Sequence, residues 1–375
     1  MGPEETARQR VVVISSTFPQ YPGDPRGAFV LAHWEARAAA GDRVWLLAPR
    51  TRWTEPGVGR GVVVRRFAYA PRAWSTLTGR FGILENIRHG PWRAAWVAPL
   101  LTAARRALAR TLDEVRPDLV VAHMWLPFGV LAAQAAAARG IEHEIFGHGT
   151  DVDLVLAAPG PVRRRLARAL GTARRIYLPS HEKAARVRAA LGHGLPIQVE
   201  AMVHCVPSPP ATVARRSERR VLYLGRLIAQ KGVDVLLEAL ARMADPPPLD
   251  VAGDGPQRGR LVRLARRRGL SVRFHGYVEG ETKARLLARA AVVCVPSRPR
   301  PWGLGEGAPL VVREALAAGA HVVASRVGGI PELCAGDPRA LLVPPGDPAV
   351  LSRAIERALS GLPAARASTV AADPM

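Results

Sequence analysis

The chain has 375 residues, of which 48% are hydrophobic and 22% are charged. This composition supplies enough apolar surface for two domains of ordinary size and excludes wholesale disorder. The formal net charge is +22, but the basic residues, almost all of them arginine, are spread over both halves of the chain. The charge therefore excludes a single basic nucleic-acid-binding tail and leaves two interpretations, a compositional bias or a functional cationic surface.

The cysteines and the apolar segments indicate where the protein resides. Three cysteines lie far apart in sequence, which indicates neither a disulfide framework nor a zinc site. The N-terminus is polar and lacks the apolar core of a signal peptide. The most apolar long region, 119–138, is interrupted by His123, Pro127 and Gly129, which favours a strand, a loop and a helix over a membrane span. We expect a cytoplasmic protein, either soluble or peripheral on the inner face of the cell membrane.

Short apolar runs rich in β-branched residues recur along the first 205 residues, and helical patterns separate them. The predicted strands are 11–16, 43–49, 62–68, 118–124, 141–148, 174–180 and 197–203. The predicted helices are 28–40, 92–115 and 128–139. Strands that alternate with helices are typical of a parallel, doubly wound sheet.

A Pro-rich and then charged segment, 206–220, predicts the crossing between two domains at 1–205 and 206–375. The alternation then restarts. The predicted strands are 221–225, 249–253, 272–276, 291–297, 321–325 and 340–344, and the predicted helices are 233–243, 257–268, 282–290, 308–318 and 349–359. The sequence thus predicts an α/β protein with two Rossmann-like domains that face each other across a cleft, with ligands beyond the carboxyl ends of the strands.

Two loops of the second array have features that suit a phosphate-bearing ligand. Arg226 and Lys231 flank the loop from a strand into a helix, where the helix dipole and two cations would act together on a diphosphate. The alternative is two solvated cations in a basic protein. After the next strand, Gly253 belongs to a Gly-Asp-Gly-Pro turn that lets backbone approach a ligand closely, although such a turn also joins strands to helices in general.

The segment EGAPLVVREALAAG contains two glutamates, Glu306 and Glu314, at the start of an apolar helical pattern. Pro309 suits the first turn of that helix, which we expect to begin near Ala308. Eight residues at about 1.5 Å each place the carboxylates roughly 12 Å apart, the separation of the hexose and the ribose in a nucleotide-sugar. The alternative is that Glu306 complements the helix dipole and Glu314 is exposed.

These segments together resemble glycosyltransferase family 4, the retaining sugar transferases with two Rossmann-like domains (the GT-B fold). FGHGTD, which contains His148, resembles the family's His-Gly-x-Asp segment, and LGRLIAQKG resembles its Gly-Arg-x(4)-Lys-Gly loop. AGDGP, the Glu-x7-Glu segment, SRVGGIPEL and LLVPPGD follow in the family's order, so the resemblance covers nearly the whole chain. FGILENIRHGPW and AHMWLPFG also resemble members that act on lipopolysaccharide, exopolysaccharide or glycolipid acceptors.

The resemblance implies a hexosyltransferase that uses a UDP- or GDP-sugar, a sugar, lipid-linked or small-molecule acceptor, and no metal or other cofactor. The implied catalytic residues are His148, Arg226, Lys231 and Glu306. The implied donor-binding residues are Gly27, Arg226, Lys231, Gly253, Glu306, Gly307, Ala308, Leu310 and Glu314. The implied acceptor-side residues are Gly27, His123 and Asp151. An Asp-x-Asp spacing occurs at 151–153, beside His148 rather than beside the diphosphate loop.

Family members usually continue with a terminal helix that crosses back onto the first domain, and we expect this chain to lack that brace. One alternative function is a non-catalytic relative that binds a nucleotide-sugar, which the intact Arg, Lys and Glu pattern disfavours. Another is a polyanion-binding protein, which the even charge spread and the lack of a nucleic-acid motif disfavour.

The region 72–116 mixes tryptophans, Phe81 and many arginines. A helical wheel from Trp92 places Trp92, Trp96, Pro99 and Ala103 near one face. Such a surface suits anionic lipid headgroups. The alternative is that the tryptophans belong to the core and the arginines are merely solvated.

Overall fold

The computed structural model describes residues 8–24, 26–79, 82–200, 219–299 and 309–360. It divides into two units, Met1–Cys205 and Val206–Met375, and each unit has its own all-parallel sheet with helices packed on both faces. The predicted α/β class with two Rossmann-like domains is confirmed.

The sheet of the first unit has the strand order β3-β2-β1-β4-β5-β6-β7, so the order reverses between β1 and β4. The strands are β1 (Arg10–Ser15), β2 (Arg43–Pro49), β3 (Val62–Phe67), β4 (Leu119–His123), β5 (Glu142–Phe146), β6 (Arg175–Leu178) and β7 (Ile197–Val199). The helices are α1 (Ala28–Ala39), α2 (Ile83–Arg88), α3 (Val97–Val115), α4 (Val130–Ala137), α5 (Thr150–Leu156), α6 (Gly160–Leu170) and α7 (His181–Leu191).

Both faces of this sheet are buried, which explains the continuous apolar strands. In β1, Val13 packs in a cluster with Trp34 of α1, whereas Ile14 packs in the opposite cluster with Leu108 of α3. Successive side chains of a strand point to opposite faces, so a strand covered on both sides has no polar alternation.

The sheet of the second unit has the order β10-β9-β8-β11-β12-β13, which reverses between β8 and β11. Its strands are β8 (Val221–Leu224), β9 (Leu249–Ala252), β10 (Val272–Gly276), β11 (Val292–Val295), β12 (His321–Ser325) and β13 (Ala340–Val343). Its helices are α8 (Val233–Leu240), α9 (Arg258–Arg267), α10 (Gly280–Arg289), α11 (Leu310–Ala317), α12 (Ile330–Cys334) and α13 (Pro348–Ser360). All the predicted strands are present in the described part of the chain, with small shifts at their ends. Residues 361–375, where the terminal brace was considered, lie outside the described residues.

The sequence did not predict α2, α5, α6, α7 or α12. The α6 segment does have an amphipathic pattern, because Val162, Leu166 and Leu170 recur every four residues among its four arginines, so a signal for this helix was present and was missed. A signal for α7 was present, because the Ser180 side chain accepts a hydrogen bond from the Lys183 amide as a helix N-cap.

The helix predicted from Trp92 begins later than expected. Pro91–Trp96 is a 3-10 turn and α3 starts at Val97. A 3-10 turn has 3.0 residues per turn rather than 3.6, so the predicted common face was wrong. Trp92 is 47% exposed, whereas Trp96 and Ala103 pack against the buried core of the first unit.

Within the described residues, none of the helices combines the length and the apolar character needed to span a membrane.

Candidate functional site

In the second unit, Arg226 lies in the loop that follows β8, at the point where the strand order reverses. This is the edge of a doubly wound sheet at which ligands bind. The Tyr223 hydroxyl donates to the Arg226 carbonyl at 2.8 Å and so fixes the backbone of the loop. The Arg226 side chain is exposed and makes no ion pair with another described residue. Its guanidinium is therefore available to an anion.

Lys231 follows in the same loop, between Gln230 and Gly232, and both of these neighbours contact the segment after β11. The Arg298 amide donates to the Gln230 carbonyl at 2.7 Å. Gly232 has φ +65°, and a Cβ there would lie 2.0 Å from the Pro296 carbonyl oxygen. Only glycine fits this left-handed, crowded position, so the glycine after Lys231 sets the position of the lysine.

The Gly-Asp-Gly-Pro turn after β9 packs against this same loop. A Cβ at Gly253 would lie 1.8 Å from the Gly225 carbonyl oxygen, and one at Gly255 would lie 2.5 Å from the Leu227 carbonyl oxygen. The Leu227 amide donates to the Asp254 carbonyl at 2.9 Å. Gly253 and Gly255 thus allow the loop after β9 to pack against the loop after β8. The close approach seen in the structure is therefore between these two loops rather than to a ligand.

Glu314 lies in α11, the first helix described after β11, and is 6% exposed. Pro309 is the N-cap with extended backbone and α11 begins at Leu310, so the helix starts later than predicted and Glu314 is about one turn in. Lys283 of α10 donates to Glu314 Oε1 at 2.6 Å. Glu314 is therefore not the exposed helix-face charge of the alternative interpretation.

Glu306, Gly307 and Ala308 lie outside the described residues, so their predicted roles stay predictions.

In the first unit, His123 ends β4 and is fully buried. The Trp34 indole of α1 donates to His123 Nε2 at 2.8 Å. His123 Nδ1 lies 3.0 Å from Nε2 of His148, which follows β5 and is half-buried. The two imidazoles stack with centroids 5.3 Å apart, and Phe29 contacts His148 edge-on at 5.1 Å. The structure therefore joins two predicted site residues in one chain of hydrogen bonds.

The hydrogen-bond chain assigns the tautomers of both rings. An indole N–H only donates, so His123 Nε2 accepts and the neutral ring carries its proton on Nδ1. That proton is donated to His148 Nε2, which leaves Nδ1–H of neutral His148 as a donor. Burial, with added repulsion from His148 and His33, lowers the pKa of His123 well below its usual range. Burial also lowers the pKa of His148, against the opposing effect of Asp151.

Asp151 is buried, and backbone amides engage both of its oxygens. Oδ1 accepts from His148 at 3.0 Å and from Gly149 at 2.9 Å, and Oδ2 accepts from Trp125 at 2.7 Å. Asp151 thus holds the loop that carries His148.

Asp153, the second acid of the Asp-x-Asp spacing, forms a buried ion pair with Lys183 at 2.6 Å. Both acids of that spacing are therefore already engaged by protein donors. No group of three metal-ligating side chains occurs within the described residues.

Gly27 is the N-cap of α1 and has φ +73°. A Cβ there would lie 2.4 Å from the Thr17 carbonyl oxygen and 2.8 Å from the Phe18 Cα. Only glycine fits this position, and it brings the start of α1, with Phe29, beside His148.

Sequence reasoning missed Trp34 and Lys283. Trp34 had no local signal, since it is simply an apolar residue on the buried face of α1. A signal for Lys283 did exist, because lysine occurs only three times among the 53 basic residues, at Lys183, Lys231 and Lys283. Because arginine and lysine are not interchangeable, a lysine in an arginine-rich chain indicates a position with a specific requirement.

The known family and proteins that resemble this chain in sequence are glycosyltransferases. Residues 218–361 match the family described as Glycosyl transferases group 1. A putative teichuronic acid biosynthesis glycosyltransferase of Bacillus subtilis is 28% identical over 278 residues, which cover 71% of this chain and 68% of the relative. A GDP-mannose-dependent α-(1-6)-phosphatidylinositol monomannoside mannosyltransferase of Mycobacterium tuberculosis is 34% identical over 208 residues, which cover 52% of this chain and 49% of the relative.

The match thus spans about half or less of most of these relatives, such as 36% of the Mycobacterium tuberculosis glycogen synthase. Among solved structures, sucrose-phosphate synthase of Thermosynechococcus elongatus has a TM-score of 0.70 at 22% identity, and covers 94% of this chain and 90% of its own. Anabaena HepE, solved with UDP, has a TM-score of 0.62 at 18% identity with the same coverage. At these identities the structures show the GT-B type of fold, and the sequence relatives are glycosyltransferases.

Proposed function

We propose that this protein is a retaining, family 4 type glycosyltransferase that moves a hexose from a UDP- or GDP-sugar to an acceptor hydroxyl. The observation that carries the proposal is the loop after β8. Its exposed Arg226 guanidinium and its anchored Lys231 lie where the strand order of the second sheet reverses. Two cations at such an edge suit the diphosphate of a nucleotide-sugar.

The donor would bind the second unit. Arg226 and Lys231 would contact the diphosphate and offset the charge that develops on the departing nucleotide. Glu314 would accept hydrogen bonds from the ribose, and Glu306 would contact the transferred sugar. Gly253 would act by allowing the two donor-side loops to pack, and Leu310 by starting the helix that carries Glu314.

In the first unit, His148 would donate Nδ1–H to a hydroxyl of the transferred sugar. His123 would act through His148 as a positioning residue, since its own ring is fully buried. Asp151 would keep the His148 loop in place through its bonds to backbone amides.

The transfer would occur on one face of the sugar. The bond from C1 to the diphosphate oxygen breaks as the acceptor oxygen forms its bond to C1 from the same side, and the acceptor proton passes to the departing diphosphate. The positive side chains would supply the charge stabilisation that a divalent ion supplies elsewhere. We therefore expect turnover without a metal.

The acceptor would belong to polysaccharide, glycolipid or specialised glycoside synthesis on the cytoplasmic side of the membrane. Two relatives are named for teichuronic acid synthesis and for a phosphatidylinositol mannoside, which supports this range. The exposed rings of Trp74 and Trp92 lie edge to face with centroids 5.5 Å apart, and Arg93 lies 4.7 Å from the Trp92 ring. Aromatic rings with adjacent cations suit the interface of an anionic bilayer.

The experiment is a donor screen by thermal shift with UDP, GDP and their common hexose conjugates, followed by a donor-hydrolysis assay with and without EDTA. A ligand that binds the folded state raises the melting temperature by mass action. We expect one nucleotide class to raise it, and hydrolysis to persist in EDTA. Binding without any hydrolysis or transfer would favour the non-catalytic relative, and activity restored only by magnesium or manganese would refute metal independence.

A further inference from the structure

A cavity lies in the first unit, and neither His123 nor His148 is among the residues that line it. Its volume is about 270 Å³, and it is lined by Tyr21, Arg52, Trp53, Glu55 and Arg72. These residues belong to the loops that follow β1, β2 and β3. The cavity therefore opens at the carboxyl edge of the sheet, on the β1-β2-β3 side, whereas His123 ends β4 and His148 follows β5.

Gln20, the neighbour of Tyr21 in sequence, is 1% exposed and holds the loops that supply the lining of this cavity. Its Oε1 accepts from the hydroxyls of Thr51, at 3.0 Å, and Thr54, at 2.6 Å, and its Nε2 donates to the Phe18 carbonyl at 2.8 Å. The Glu55 amide donates to the Gln20 carbonyl at 2.7 Å. One side chain thus fastens the loop after β1 to the loop after β2, and a satisfied buried network of this kind rigidifies a site.

The walls of the cavity combine two arginines with an aromatic face. The Trp53 ring lies against Gly79, where a Cβ would be 1.9 Å from the ring, and the Arg52 guanidinium lies 5.3 Å from the Trp53 centroid. Arg72 donates to the Thr54 carbonyl at 3.3 Å. Neither arginine forms an ion pair with a described residue, so both retain donors for a ligand.

We propose that this cavity binds the anionic group and the adjoining ring of a sugar acceptor, so that the protein selects acceptors with a phosphate or a carboxylate. Guanidinium groups match the oxygens of either anion bidentately. The Trp53 face suits the apolar C–H surface of a sugar ring, and the Glu55 carboxylate accepts from hydroxyls. A volume near the lower end of ligand clefts suits one monosaccharide. The assignment to the acceptor rests on the proposed function.

The test is calorimetric titration of the full chain with glucose 6-phosphate, glucuronate, glucose and inorganic phosphate. We expect glucose 6-phosphate or glucuronate to bind at least about tenfold more tightly than both glucose and inorganic phosphate, and the tighter of the two identifies the anion. The double variant Arg52→Gln/Arg72→Gln should lose about tenfold or more of that affinity. The matched control is Arg105→Gln/Arg106→Gln, which removes the same charge from exposed positions of α3.

Several outcomes would overturn the proposal. Neither anionic sugar binding better than glucose would refute anion selection, and inorganic phosphate binding equally well would refute a sugar site. Equal losses in the test and control variants would refute the cavity as the place of binding. Titration with UDP and GDP on the same samples separates the two proposals: nucleotide binding without anionic-sugar binding overturns only this inference, and anionic-sugar binding without any nucleotide binding overturns the proposed function.

Discussion

Lys283 Nζ lies 2.6 Å from Glu314 Oε1, and this ion pair joins α10 to α11. The Glu314 side chain is 7% exposed and that of Lys283 is 25% exposed. A carboxylate so nearly buried needs a partner, since an unpaired buried charge is costly. The pair therefore fixes the rotamer of Glu314, and no hydrogen bond to its other oxygen, Oε2, occurs among the described residues.

Glu314→Gln is expected to weaken binding of the preferred nucleotide, UDP or GDP, by about 1–3 kcal/mol, because a charged hydrogen bond to the ribose becomes a neutral one. The measurement is calorimetric titration. Glu281→Gln is the matched control, since it removes an exposed carboxylate from α10. Equal affinity of Glu314→Gln and the parent for both nucleotides would show that the ribose assignment is wrong.

Trp34→Phe is expected to change the tautomer of His148 while the fold is retained. Without the indole donor, His123 Nε2 is no longer held as an acceptor, so His123 Nδ1 need not donate to His148. Nitrogen-15 NMR of labelled histidines reports which ring nitrogen carries the proton. We expect Nδ1–H for both rings in the parent and a mixture of tautomers in the variant. Unchanged spectra would contradict the hydrogen-bond chain from Trp34 through His123 to His148.

The same pair of histidines predicts a pH dependence of stability. Burial lowers the pKa of both His123 and His148 below the value of an unfolded chain, so the unfolded state binds more protons at mildly acidic pH. Stability from this effect is fully present above the unfolded pKa of about 6.5 and is lost as pH falls below it toward the folded values. Melting temperatures measured from neutral pH downward should fall, and less steeply in His123→Phe than in the exposed-site control His193→Gln. If the melting temperatures of the two variants fall equally steeply with pH, His123 is not a source of the pH dependence of stability.

Lys183→Met is expected to destabilise the first unit by about 3 kcal/mol or more, because it leaves the buried Asp153 carboxylate without its main partner. Arg186, whose Nη1 lies 3.5 Å from Asp153 Oδ1, offsets part of this loss. The double variant Lys183→Met/Asp153→Leu should be more stable than the single variant, since it removes both charges. Urea unfolding measures the difference, and a double variant less stable than Lys183→Met would contradict this account.

Trp74→Ser/Trp92→Ser is expected to reduce co-sedimentation with phosphatidylglycerol-containing vesicles by about tenfold at low salt, since both exposed rings are lost from the bilayer interface. Binding by the parent should weaken at high salt and on pure phosphatidylcholine. Val162→Ser, at another exposed apolar position of the first unit, is the control. Failure of the parent to sediment at low salt would favour a soluble acceptor.

The sequence by itself determined the two α/β arrays. Strands such as Val292–Val295 are buried on both faces and therefore appear as short apolar runs that are legible without tertiary information. Gly253 was legible too, as part of a turn from a strand into a helix, whereas the crowded position of Gly232 was seen only in the structure. A short helix such as α2 was not legible, because six residues contain too few turns to show a clear amphipathic period.

Only the tertiary structure decided which side chains the predicted site residues contact. Trp34 and His123 are 89 positions apart, and Lys283 and Glu314 are 31 apart, so no local pattern pairs them. The parallel strand order places the ends of β1, β4 and β5 side by side, which brings His123 and His148 together. The partners of a charged or titratable side chain are set by this long-range register, and for that reason the sequence indicated candidate residues while the fold decided which of them act through others.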